Sequence, residues 1–218
     1  GSEMCIRDRL EFRVQEAQSI DINPVAGTIH VMIPYDYTEN SIQTKAVVSK
    51  DATYTINGAE NGRLTVDGDS ELKITSGTGE EKVYTVTVAR AATPQVHLMT
   101  FQMQPYNKES RVAVKVTGTE LVNAREIKVI ATAQDDPNIT VSAVANKSGT
   151  DTYMAMLTIP DNFKLFEDRV FKLSAEVDGI AQIGLDVSQK DIIQPKNNNV
   201  IESLTIENAA SDAVITHN

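Results

Sequence analysis

The sequence predicts an all-β protein built from two tandem β-sandwich domains, and three observations carry this prediction. Apolar and polar residues alternate in short runs, turn residues separate these runs, and no apolar stripe of helical spacing persists for the roughly 11–18 residues that indicate a helix. The chain has 218 residues, of which 41% are hydrophobic and 23% charged. This length and composition suffice for two small globular domains.

The first domain is predicted over residues 10–92. Its turn signals are Pro34, which cannot donate to a strand ladder, and the dipeptides Asn57-Gly58 and Asp67-Gly68. The alternating runs between them cover residues 10–14, 29–33, 46–48, 54–56, 63–66, 72–74 and 83–88. Strands of this length, separated by turn residues at roughly 8–12-residue spacing, are typical of a sandwich.

The second domain is predicted over residues 95–190, after a short linker that ends at Pro94. Asp178-Gly179 is the strongest hairpin signal in the chain. Met154 and Met156 share one face of a strand and are expected to fill the core. Residues 161–168 can hold one helical turn. The alternating runs cover residues 96–103, 111–116, 126–131, 139–144, 153–159, 170–177 and 180–187.

The two ends of the chain are interpreted separately. Residues 1–9 do not fit the β pattern and are interpreted as a tag scar with an artefactual leader, which makes the single cysteine, Cys5, incidental. Residues 191–218 are predicted to be a linker and the first strand of a further unit or tail, because the run at 200–206 resembles the run at 10–14. A lone strand would lack a partner, so a truncated third unit of a tandem array is expected.

Charge and motifs disfavour several functions. The net charge is −10, which repels phosphate backbones and argues against nucleic-acid binding. No run approaches the roughly 18 apolar residues of a membrane helix, so no membrane span is expected. The three histidines are not at ligand spacing, and the acidic stretches at 67–71 and 135–138 suit ordinary turns better than a calcium site. Because nucleophile-elbow and phosphate-loop motifs are missing, we expect no catalytic residue, no metal and no cofactor.

Four residues are candidates for ligand binding. Tyr35, Asp36 and Tyr37 follow Pro34, and Tyr106 lies in a second predicted loop. In an extended segment Tyr35 and Tyr37 would face the same way and form a small stacking platform beside Asp36. The alternative is that the tyrosines cover the end of the core where the loop crosses the sandwich.

Residues 10–90 resemble the Ig-like repeats of Bacteroidetes surface proteins and lipoproteins. The resemblance rests on Ile29-His30-Val31-Met32-Ile33-Pro34, Ser49-Lys50-Asp51-Ala52-Thr53 and Tyr84-Thr85-Val86-Thr87-Val88. Residues 96–187 resemble a second bacterial Ig-like module more loosely, through positions 116–121 and 157–162.

This resemblance implies a modular, extracellular or cell-surface protein, anchored to the outer membrane, with no shared catalytic residues. The expected function is therefore non-enzymatic: adhesion, spacing or ligand presentation by tandem Ig-like modules. Two alternatives stay open, a surface glycan-binding component of a polysaccharide-uptake system and the accessory domains of a larger secreted enzyme. The expected partners are a polysaccharide or another surface protein.

Overall fold

The computed structural model describes residues 10–102, 104–105, 111–158, 169–188, 193–194, 203–209 and 212–217. Within these ranges the protein is all-β, as predicted, and its helical structure is a single 3-10 turn at Leu121–Asn123. The predictions made for Tyr106 and for residues 161–168 fall outside the described residues. The chain divides into two compact units, Gly1–Thr93 and Pro94–Asn218.

The first unit contains strands β1 to β9. Their bounds are Glu11–Val14 (β1), Ser19–Asn23 (β2), Thr28–Ile33 (β3), Ser41–Ile42 (β4), Thr44–Val47 (β5), Thr53–Ile56 (β6), Leu64–Thr65 (β7), Gly68–Thr75 (β8) and Glu81–Arg90 (β9). A five-stranded sheet has the order β2-β3-β9-β8-β6, in which β3 and β9 run parallel and the other neighbours antiparallel. The pairs β1–β5 and β4–β7 form two short antiparallel ladders.

One hydrophobic core joins these sheets. Phe12 and Ile42 from the short ladders belong to the same buried cluster as Ile29, Leu72 and Val86 from the five-stranded sheet. Alternation assigns the faces, since most inward positions of these strands are apolar and most outward positions are polar, with Met32, Val47 and Val83 as exposed exceptions. The arrangement of sheets around a shared core is consistent with a β-sandwich.

Strand β2 is an element that the sequence analysis missed. It alternates Ile20 and Ile22 with polar residues, but both isoleucines are only half-buried because β2 lies at the edge of its sheet. The strand is short, and its apolar signal consists of these two residues. A weak pattern of this kind is hard to separate from a loop.

The second unit contains strands β10 to β21. Their bounds are Gln95–Gln102 (β10), Gln104–Pro105 (β11), Arg111–Thr119 (β12), Ile127–Ala133 (β13), Thr140–Val144 (β14), Asn146–Gly149 (β15), Thr152–Thr158 (β16), Val170–Val177 (β17), Ile180–Ser188 (β18), Ile193–Gln194 (β19), Ser203–Ala209 (β20) and Asp212–His217 (β21). One sheet has the order β15-β16-β12-β10-β20-β21 and another the order β14-β13-β17-β18. A short parallel pair, β11–β19, completes the described strands.

The core of the second unit lies between its two large sheets. Met99, Phe101 and Val114 from the six-stranded sheet pack in one cluster with Val129 and Phe171 from the four-stranded sheet. Asp178-Gly179 joins β17 to β18 with φ values of 49° and 82°, the left-handed conformations that a tight hairpin turn requires. The strongest hairpin signal of the sequence is therefore confirmed.

The strand near the chain end differs from the expectation. Ser203–Ala209 pairs antiparallel with β10 on one side and with β21 on the other, and Ile206 is fully buried in the second unit's core. The idea that this strand lacks a partner is corrected by this pairing. The physical reason is that β20 fills the hydrogen-bonding edge of β10 that β12 leaves free, and its Ile206 joins Met99 and Phe101 of β10 in the core.

The prediction for Met154 and Met156 is also corrected. Both methionines lie on the outward face of β16, where Met156 is 47% exposed, and Ala155 and Leu157 point into the core instead. The two methionines do share a face, as the alternation implies. The face is the opposite one, because apolar residues occupy both sides of this strand.

Candidate functional site

The segment that follows β3 is a tight turn. The Tyr37 amide donates a hydrogen bond to the Pro34 carbonyl oxygen at 3.2 Å, which places Tyr35 and Asp36 at the two central turn positions. The expectation of an extended segment is therefore wrong at this point. Since alternation of side chains holds only for extended backbone, it no longer implies that Tyr35 and Tyr37 face the same way.

Tyr37 contributes to the fold. Its ring is half-buried and packs against the core of the first unit, and its hydroxyl donates a hydrogen bond of 2.8 Å to the carbonyl oxygen of Ser41. This geometry matches the alternative in which a tyrosine covers the end of the core. Tyr35 is half-buried and Asp36 is exposed at the tip of the turn.

Arg90 braces this loop from the last residue of β9. Its Nε donates to the Tyr37 carbonyl oxygen at 2.8 Å and its Nη2 to the Glu39 carbonyl oxygen at 2.9 Å, while Nη1 pairs with the Asp67 carboxylate. The same carboxylate accepts the Arg90 amide at 3.1 Å. The planar guanidinium thus fixes two loop carbonyls and one carboxylate together.

Arg63 braces the far end of the loop. Its Nε donates to the Ser41 hydroxyl at 2.8 Å, and its Nη2 lies 3.1 Å from the Ser41 carbonyl oxygen and 3.4 Å from the Glu39 carboxylate. We call residues 34–41, held by Arg63 and Arg90, the braced loop. Neither arginine was singled out in the sequence, since Arg63 immediately precedes β7 and Arg90 ends β9, and charged residues are common at such positions.

A small cleft lies at the opposite end of the first unit. Because β3 and β9 run parallel, the residues that begin β9 lie at one end of the sheet, and Ile33 and Arg90 lie at the other. The cleft has a volume of about 30 Å³. It is lined by Leu10, Val48, Ser49, Lys50, Ala52, Ile74, Ser76, Gly77, Lys82 and Tyr84.

Lys82 and Tyr84 are neighbours in the lining of this cleft. The Lys82 Nζ donates to the Pro24 carbonyl oxygen at 2.9 Å and lies 5.4 Å from the centroid of the Tyr84 ring. Burial raises the pKa of the Tyr84 hydroxyl above its ordinary value of 10.0, so the group is a neutral hydrogen-bond donor at physiological pH. The sequence placed Tyr84 in a core strand, and its burial confirms this.

The acidic stretch after β7 serves the fold. Asp67 has φ 56° and binds Arg90, while the Asp69 carboxylate accepts a hydrogen bond from the Thr87 hydroxyl at 2.9 Å. His97 lies 3.0 Å from the Thr119 hydroxyl. In the described residues, no three histidine, cysteine, aspartate or glutamate side chains gather in a way that could hold a metal ion.

Comparisons with known proteins leave the family open. No protein-family model matches the chain, and no curated protein matches it. A crystal structure from Bacteroides thetaiotaomicron, provisionally named as that of a glycoside hydrolase, is similar over 84% of this chain and 95% of its own, with 8% identity and a TM-score of 0.34. In the described part of the chain, no helix is long and apolar enough to cross a membrane.

Proposed function

We propose that this protein is a non-enzymatic, extracellular module of tandem Ig-like sandwiches that presents the braced loop to a partner on a surface. The observation that supports the proposal is the bracing of residues 34–41 by two arginines. Arg90 donates to the carbonyl oxygens of Tyr37 and Glu39 and Arg63 donates to Ser41, so the arginines hold the part of the loop that follows the turn, while Asp36 in the turn is exposed.

Bracing of this kind suits recognition. A loop that is already ordered loses little conformational entropy when a partner binds, so more of the contact energy appears as affinity. The turn carries a half-buried aromatic residue, Tyr35, followed by an exposed carboxylate, Asp36. These groups suit hydrogen bonding and stacking against a sugar as well as contact with a protein surface.

The partner of this loop is proposed to be a polysaccharide or another surface protein. The glycan-binding function is a second candidate, and Tyr35 supports it, because a half-buried tyrosine still presents part of its surface for stacking against a sugar. In either case the loop is the part of the molecule that makes the contact.

An adhesion assay tests the proposal. Beads coated with the chain are applied to surfaces that carry neutral polysaccharides, acidic polysaccharides, mucin or collagen, and the retained beads are counted under flow. We expect retention on at least one surface. The double variant Tyr35→Ala and Asp36→Ala should reduce it about tenfold, which corresponds to about 1.4 kcal/mol. Lys45→Ala, at an exposed position on β5, is the matched control and should leave retention unchanged.

Two results would contradict the proposal. If no surface retained the beads, or if the double variant were retained as well as the unmodified chain, the braced loop would not be the binding site. Release of reducing sugar from any of the polysaccharides, at a rate proportional to protein concentration, would show that the chain is an enzyme.

A further inference from the structure

The cleft at the other end of the first unit carries two lysines that form no ion pair with an acidic residue in the described ranges. Among the described residues, no hydrogen bond or ion pair engages the Lys50 ammonium, and Lys82 has a hydrogen bond to a carbonyl oxygen but no ion pair. This is unexpected in a chain with 30 acidic and 20 basic residues. The nearest acidic residue in sequence to Lys82, Glu81, is 3.5 Å from Lys73 instead.

The floor of the cleft is apolar. By the apolar floor we mean the apolar residues of the lining, which are Leu10, Val48, Ala52, Ile74 and the buried Tyr84. Its volume of about 30 Å³ compares with the roughly 10–15 Å³ that one water molecule requires. The cleft therefore admits the end of a small molecule, and the rest of that molecule would remain outside.

Polar residues belong to the same lining. The cleft is lined by the hydroxyl-bearing residues Ser49 and Ser76 as well as by Lys50 and Lys82. Ammonium groups supply charge-assisted hydrogen bonds to an anion, which are shorter and stronger than neutral ones. A sulfate or phosphate ion is polar on every side and would leave oxygens against the apolar floor, at a cost in desolvation. A carboxylate on a short aliphatic stem has one polar and one apolar end.

We propose that this cleft is a binding site for an aliphatic carboxylate, with the carboxylate between Lys50 and Lys82 and the first carbon atoms on the apolar floor. The site is independent of the braced loop, which lies at the opposite end of the sheet. Its ligand is defined by chemistry: a negative charge, a planar pair of oxygens and a small apolar stem.

Titration of the full chain with sodium propionate, followed by amide chemical shifts, tests this site. The buffer contains about 0.15 M sodium chloride, which shortens the reach of exposed charges to about 8 Å. We expect saturable shifts at Lys50, Ser76 and Gly77. Propionamide, which has the same shape without the charge, should cause none. Glucuronate, whose carboxylate is attached to a polar ring, should bind more weakly than propionate.

Charge-removing variants identify the groups responsible. Lys50→Met retains the aliphatic stem and removes an ammonium that no described group engages, so the fold should be unchanged and the dissociation constant about tenfold higher. Lys82→Met should weaken binding further. Lys45→Met removes an exposed lysine that does not line the cleft and should leave binding unchanged.

The outcomes separate clearly. Shifts that never saturate, that sodium chloride alone reproduces, or that Lys45→Met weakens as much as Lys50→Met, would overturn the site. Tighter binding of inorganic phosphate than of propionate would overturn the assignment to an aliphatic carboxylate. Loss of the propionate shifts in Lys50→Met, with unchanged shifts elsewhere in the spectrum, would establish it.

Discussion

The turn between β17 and β18 offers a sharp test of how side chains hold this fold. Asp178 has φ 49°, and its side chain is only 6% exposed. One carboxylate oxygen accepts hydrogen bonds from the amides of Arg125 and Glu126, both at 2.8 Å. Asp178 therefore takes part in the hairpin turn together with Gly179 and also fixes the segment that leads into β13.

Replacing Asp178 separates these two contributions. Asp178→Ala removes both hydrogen bonds to a charged acceptor, at about 1.5 kcal/mol each, and costs about 1 kcal/mol more because alanine tolerates the left-handed region less well than aspartate. It also removes the ion pair with Arg125 at 3.8 Å, which contributes little because the arginine is exposed. The expected loss is about 4 kcal/mol in the free energy of unfolding. Asp178→Gly removes the hydrogen bonds without the strain and should cost about 3 kcal/mol. Asp178→Asn retains an acceptor oxygen and tolerates this φ, so about 1 kcal/mol is expected.

Native-state hydrogen exchange is the appropriate measurement. The amides of β17 and β18 report the opening of the second unit by itself, whereas a denaturation curve of the whole chain would combine two units. The protection of strands β3 and β9 in the first unit is the internal control and should not change.

The relative losses of unfolding free energy in the three variants distinguish the hydrogen bonds, the backbone strain and the charge. If Asp178→Ala cost less than about 1 kcal/mol, the two amide hydrogen bonds would contribute little net stability. If Asp178→Gly and Asp178→Ala cost the same, backbone strain would play no part. If Asp178→Asn were as damaging as Asp178→Ala, the negative charge rather than the acceptor geometry would be what matters.

Three further predictions concern other parts of the chain. A Cβ at Gly118 would lie 1.8 Å from the Gln95 carbonyl oxygen, so Gly118→Ala should lower the unfolding free energy of the second unit by about 3 kcal/mol or more. Hydrogen exchange of the β10 and β12 amides measures this loss. Gly149→Ala is the control and should cause no such loss, because the nearest atom to its new Cβ is 3.6 Å away. Tyr37→Phe removes one hydrogen bond and should lower the unfolding free energy of the first unit by about 1 kcal/mol in the same measurement. Because burial raises the pKa of Tyr84, the stability that its neutral hydroxyl form contributes is complete below pH 10.0 and is lost as the pH rises through the raised pKa. Tyr84→Phe should therefore make the melting temperature fall less steeply at alkaline pH.

The fold class could be predicted from the sequence because alternation is a local signal. In β9, Tyr84, Val86 and Val88 are buried, as the alternating run over residues 83–88 implies. The dipeptides Asn57-Gly58 and Asp178-Gly179 both adopt positive φ values, because these residue types tolerate the left-handed region. Pattern and turn chemistry act within a few residues, so neither requires knowledge of the tertiary structure.

The braced loop could not be predicted in the same way, because its geometry depends on distant residues. Arg63 reaches Ser41 across 22 positions of the chain, and Arg90 reaches Tyr37 across 53. A segment with two tyrosines after a proline suits an extended platform as well as a tight turn. The two arginines hold the loop that this turn begins, and no local rule identifies an arginine at a strand end as the partner of a particular carbonyl group.

Strand β16 shows why alternation does not always assign the buried face. Its sequence is apolar on both sides, so the pattern alone allows either Met154 and Met156 or Ala155 and Leu157 to point inward. The register with β12 determines which side points inward. Ala155 pairs with Val114 and Leu157 pairs with Val112, and both valines are buried. Residues paired across strands share a face, so the core position of β12 imposes the inward side on β16. The methionines are left outside by the strand that they pair with, which is a property of the sheet and not of their own segment.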